Sequence, residues 1–120
     1  MGNTKLTYDW NQEIVIIHLP QIYFVGSWGE MLELVRKKTI VGSKYIIIDL
    51  SEVKSVQDCG GEFYILREEY RDIGGKEVLI SGMPDFFHSL FKYFEDDSIE
   101  EKIKKFRNTD EAVSWIKANS

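Results

Sequence analysis

Apolar and polar positions change rhythm several times along this chain, and each change marks an expected element. From Lys5 to Asp9 they alternate as in a short strand, and Asn11-Gln12 reads as a turn. Glu13–Leu19 is rich in β-branched residues and strand-like, so the two segments predict a hairpin. Ser27-Trp28-Gly29-Glu30 has the form of a capping box and predicts a helix with Met31, Leu34 and Val35 on one face. Tyr45–Leu50 is the next strand. The pattern after Gly60 places Phe63, Leu66, Tyr70 and Ile73 at helical spacing, and Gly74-Gly75 stops that helix. Glu77–Ser81 is a further strand. Pro84 suits a first helical position, ahead of Phe86, Phe87, Leu90, Phe91 and Phe94. A short strand around Ile103–Phe106 follows. Asn108-Thr109-Asp110-Glu111 then caps a last helix that turns Ala112, Val113 and Ile116 inward.

Strands joined through one helix are normally parallel with right-handed crossovers. The expected fold is therefore α/β: a mixed sheet of four to five strands, an N-terminal hairpin followed by parallel strands, with about four helices. The strands ending at Leu19, Leu50 and Ser81 should point the same way. Their ends should bring the loops 21–28, 51–61 and 82–85 together on one sheet edge, where open α/β sheets usually bind ligands and partners.

Composition narrows the function. A chain of 120 residues, 43% of them hydrophobic, suits a single domain over 1–120. A formal charge of −5 argues against a nucleic-acid partner, which calls for a basic footprint. The one cysteine, Cys59, excludes an intrachain disulfide. No apolar segment is long enough to cross a bilayer, and Met1–Lys5 lacks the apolar stretch of a signal peptide. A cytoplasmic protein is expected. No nucleophile elbow, phosphate-cradling glycine loop or nucleophile–base pair stands out, so no enzyme and no cofactor is expected. His18 and His88 have no cysteine or carboxylate cluster at ligand spacing, so no metal is expected either.

The candidate chemistry gathers at Tyr45–Gly61, where a buried strand delivers a polar passage and the small-residue step Cys59-Gly60-Gly61 to a helix start. Unpaired N–H groups there favour negative charge, and Asp58 is placed to supply it. Asp58 reads either as a stabilising helix-start residue or as a switch position. Cys59 reads either as a redox-sensitive thiol or as a small buried residue. Ile22, Tyr23, Phe24, Val25 and Trp28 make the first loop unusually apolar: they either cover the sheet edge as core or dock a partner. The phenylalanines of 84–94 read as a core stripe or as the lining of a pocket.

The element order, with Ile-Ile-Ile-Asp-Leu-Ser-Glu-Val (46–53), the turn ending in Gly60, Gly-Gly-Lys-Glu-Val-Leu-Ile-Ser (74–81) and Thr-Asp-Glu-Ala-Val (109–113), resembles a STAS domain, and more narrowly the bacterial anti-sigma-factor antagonists. That resemblance implies a non-catalytic regulatory module. In the family a serine or threonine at the helix start is phosphorylated by a kinase-like anti-sigma factor, and the phosphate blocks their association. Aligned without a gap from Asp49 to Gly60, the family's aspartate becomes Gln57 and its phosphoacceptor becomes Asp58, so the acceptor hydroxyl is missing. A one-residue slip would put Cys59 there instead. Asp58 carries about one charge against roughly −1.5 to −2 for a phosphate. It is either a permanent partial mimic or a mark of lost regulation. The implied partner-binding residues are Tyr23, Phe24, Trp28, Gln57, Asp58, Cys59, Gly60 and Met83, with a homodimer left open. The alternative is a STAS accessory subunit of a transport system or signalling scaffold.

Overall fold

The computed structural model describes residues 6–11, 13–23, 25–36, 43–56, 62–85 and 103–119. The central element is β4 (Tyr45–Asp49), buried at every position because the sheet is covered on both faces there. Around it a five-stranded sheet runs in the order β1-β2-β4-β6-β7, with β1 (Thr7–Asn11), β2 (Ile14–His18), β6 (Glu77–Ser81) and β7 (Lys105–Phe106). The β1–β2 pair is antiparallel; β2–β4, β4–β6 and β6–β7 are parallel. This is the expected mixed sheet. Two residues each from β3 (Ile22–Tyr23) and β5 (Ser55–Val56) form a separate small parallel ladder.

Alternation along the strands builds two apolar layers. Val15, Ile17, Ile46, Ile48, Val78 and Ile80 pack with Met31, Leu34 and Val35 of α1 (Val25–Arg36) and with Leu66 and Tyr70 of α2 (Glu62–Asp72). Tyr45, Ile47 and Leu79 face the other way, against Ala112 and Ile116 of α3 (Thr109–Asn119). Each fully buried isoleucine contributes roughly 1.5–3 kcal/mol of transfer free energy. Trp115 extends the second layer, edge-on to Tyr45 at 6.4 Å between ring centroids.

The helix ends follow the local chemistry. Gly74 has φ +104°, and Gly75 N–H donates to the Tyr70 carbonyl (2.9 Å) while Gly74 N–H donates to that of Arg71 (3.1 Å). This is a left-handed glycine stop. Arg67 Nε donates to Glu77 Oε1 at 2.6 Å and ties α2 to β6. At the start of α3, Asn108 Oδ1 accepts from Glu111 N–H (2.9 Å), and Glu111 Oε2 accepts from Arg107 N–H (3.1 Å).

Four expectations are corrected. Strand β1 begins at Thr7 and includes Asn11, because Asn11 pairs with Ile14. Helix α1 begins at Val25, so Ser27 lies inside its first turn rather than capping it; the β3–β5 ladder already anchors the chain at Tyr23. Ile73 follows the end of α2 and is exposed rather than inward, since the chain tightens into a turn there, with Ile73 N–H donating to the Tyr70 carbonyl (3.3 Å) just ahead of Gly74. The last strand is confined to Lys105–Phe106, and Ile103 is buried ahead of it. Three helices are present among the described residues. The helix expected after Pro84, with its phenylalanines, lies outside them beyond Asp85.

Candidate partner-docking edge

The three parallel strands β2, β4 and β6 end at one level. Leu19 N–H donates to the Asp49 carbonyl (3.0 Å), Leu50 N–H to that of Ser81 (2.9 Å) and Gly82 N–H to that of Phe106 (3.0 Å), carrying the ladder one step past each strand. From there the chain leaves as three loops whose described parts meet. The Gln21 carbonyl accepts from both Lys54 N–H (2.8 Å) and Ser55 N–H (3.0 Å), joining the first loop to the second. Gly82, at φ +67°, brings the third loop against the second: a Cβ built on it would stand 3.0 Å from Ser51 Cβ.

Side chains reinforce this edge. In register, His18 of β2 stands beside Asp49 of β4, and Asp49 beside Ser81 of β6. Together they make a polar row on the face that α3 covers further along the sheet. Asp49 is buried; its Oδ1 accepts from Ser51 N–H (3.0 Å) and shapes the exit into the second loop. Its Oδ2 lies 2.8 Å from His18 Nδ1, while His18 Nε2 lies 2.8 Å from Asp9 Oδ2 on β1. Burial alone would lower the His18 pKa, but the two carboxylates outweigh it and the value is raised above 6.5. Ser81 Oγ is buried without a hydrogen-bond partner among the described residues.

Sequence reasoning missed the Asp9–His18–Asp49 chain. The signal was present in outline, since His18 and Asp49 close two strands expected to run parallel and end together. Among the described residues no group of three or more His, Cys, Asp or Glu is arranged to hold a metal ion.

Similarity to known proteins lies in the shape of the backbone. No family model and no curated protein sequence matches the chain. SpoIIAA, an anti-sigma factor antagonist, superposes in its unphosphorylated form with a TM-score of 0.69 at 12% identity, covering 94% of this chain and 98% of that one. SpoIIAA of Bacillus in its phosphorylated form gives 0.68 at 11% identity, covering 93% and 99%. A Thermotoga maritima protein assigned as an anti-sigma factor antagonist gives 0.70 at 13%, covering 93% and 94%.

The fold is that of the STAS domain.

The murine anion transporter Slc26a9 also contains it: 92% of this chain matches 18% of the transporter, with a TM-score of 0.69 at 19% identity. Within this STAS fold the expected docking residues fall in different places. Tyr23 is fully buried in the core, because β3 pins it beneath the edge, so it offers no ring to a partner. That corrects its expected place on the docking surface and favours the core reading of that position. Met83 is half-buried against the same core cluster. Trp28 belongs to α1, with its side chain outside the description. Phe24, Gln57, Asp58, Cys59 and Gly60 lie outside the described residues. No described helix is long and apolar enough to cross a membrane.

Proposed function

We propose that this chain is a non-catalytic, cytoplasmic regulatory module that binds a protein partner through the edge where its three loops meet, in the manner of an anti-sigma-factor antagonist. The observation that carries this reading is the junction itself. One carbonyl, that of Gln21, gathers two amides of the second loop, and Gly82 packs the third loop against Ser51. A partner meeting this edge meets three chain segments at once. The likeness to SpoIIAA supports the antagonist class, since that protein occurs with and without phosphate on the same fold.

The partner on this reading is a kinase-like anti-sigma factor. Asp58, four residues before the start of α2 in sequence, holds the switch position with Gln57, Cys59 and Gly60 beside it, and Trp28, Phe24 and Met83 supply flanking contact. A carboxylate there brings a fixed negative charge that no phosphatase removes.

Titration calorimetry against kinase-like anti-sigma factors, with wild type and Asp58→Ser in parallel, tests the reading. Tighter binding by Asp58→Ser makes Asp58 a fixed mimic of the phosphorylated state. Equal binding makes it an unregulated docking residue. If neither protein binds, the antagonist reading falls. The likeness to part of Slc26a9 favours a second reading, an accessory subunit of a transport system. Co-purification with a transporter subunit, and with no anti-sigma factor, would select it.

A further inference from the structure

The strongest cluster of ionisable groups outside the docking residues is Asp9, His18 and Asp49, one from each of three neighbouring strands. We infer that these residues form a protonation-controlled clamp, which pins the outer strand β1 across β2 to β4 and releases Asp9 when His18 gives up its proton.

The geometry requires two donors. His18 Nδ1 and Nε2 each lie 2.8 Å from a carboxylate oxygen, and an ionised carboxylate only accepts hydrogen bonds. An imidazolium, with an N–H on each nitrogen, satisfies both. A neutral imidazole has one N–H, so its second nitrogen turns a lone pair toward a carboxylate.

The burial of the two partners decides which contact breaks. The Asp49 side chain is 11% exposed and also holds Ser51 N–H, whereas the Asp9 side chain is 77% exposed. Water can replace the imidazole at Asp9 but has little access to Asp49. The remaining proton therefore stays on Nδ1, facing Asp49, and the departing proton goes to solvent. Asp9 from β1 and Asp49 from β4 are the charged groups acting on the ring among the described residues. Opposite His18 on β1 stands uncharged Thr7.

Among the described residues the strand at stake is an edge strand, bonded in the sheet to β2. One side-chain tie from it towards the centre of the sheet runs through this imidazole. With the folded-state pKa of His18 raised, the stabilisation is complete below about pH 6.5 and lost as pH rises through the folded value.

The test uses the whole chain and needs no partner protein. Imidazole resonances of His18 are titrated by NMR, and amide-exchange protection factors of β1 and β6 are measured across the same range. His18 is expected to titrate above 6.5 in the wild type and closer to 6.5 in Asp9→Asn. Protection in β1, but not in β6, should fall by about tenfold for each unit by which the clamp raises that pKa. In Asp9→Asn, whose amide can meet the ring in either protonation state, and independently in His18→Gln, β1 protection should be level with pH. Titration of His18 at or below 6.5, or β1 protection that stays level in the wild type, would overturn the clamp.

Discussion

The hydroxyls of Ser43 and Tyr70 lie 2.6 Å apart, both buried, linking the start of the segment that leads into β4 to the last turn of α2. Burial pushes the Tyr70 phenol up to about 12, while the Ser43 hydrogen bond works in the other direction. A phenol that ionises later in the folded than in the unfolded chain stabilises fully below pH 10 and loses that contribution as pH rises toward 12. Base-induced unfolding is expected in this window, followed by circular dichroism, and Tyr70→Phe should flatten it. Ser43→Ala leaves the phenol hydroxyl without its partner and should cost about 1–3 kcal/mol in urea unfolding.

Two glycines should respond to alanine with opposite signs. At Gly75 a Cβ would run into the Tyr70 ring, which is locked in the core, so Gly75→Ala should destabilise by about 1–3 kcal/mol. At Gly29, inside α1, a Cβ meets nothing within 4 Å. There the helix propensity of alanine acts alone, and Gly29→Ala should stabilise by about 0.5–1 kcal/mol. Thermal or urea unfolding of the two variants side by side reads both signs.

These positions also show what the chain discloses before it folds. The apolar run Ile46–Ile48 within Tyr45–Leu50 and the segment Glu77–Ser81 announce buried parallel strands, and Asn108 with Glu111 announces a capped helix; all three elements form, the first ending at Asp49. The two-residue ladder of β3 and β5 has no periodicity to betray it, so the apolar loop could be read as core or as a docking patch, and only the ladder decides that Tyr23 is core. The start of α1 was hidden because Ser27 and Glu30 have the spacing of a capping pair although both lie inside the helix. The His18–Asp49 contact joins residues 31 apart, which only the register of two parallel strands brings together. At the sheet edge, the meeting of the loops followed from topology, whereas the proposed role of Asp58 rests on the sequence resemblance.

The Asn108 cap is exposed and separate from the core, so it isolates a local contribution. Asn108→Ala removes the acceptor for Glu111 N–H and should lower stability by about 1 kcal/mol. Asn108→Asp should retain most of it. Chemical denaturation with both variants checks the pair.

Gly82 adopts φ +67° where the third loop crosses the second. Gly82→Ala adds a left-handed penalty of about 1–2 kcal/mol and crowds Ser51. Amide chemical shifts should change most at Ser51–Val53 and Gly82–Met83 and least in α3. A perturbation spread evenly over the protein would contradict close packing of these two loops.

Three adjacent strands finishing in His18, Asp49 and Ser81 also police how the sheet is assembled. Because neighbouring residues on a strand face opposite sides, a slip of one position in β2 or β4 would push an ionisable group into the oily layer beneath α1 and α2. Misaligned pairings are thereby penalised by the same residues that border the loops. The alignment of the strands is thus secured at their ends, just where the chain turns out into the loops.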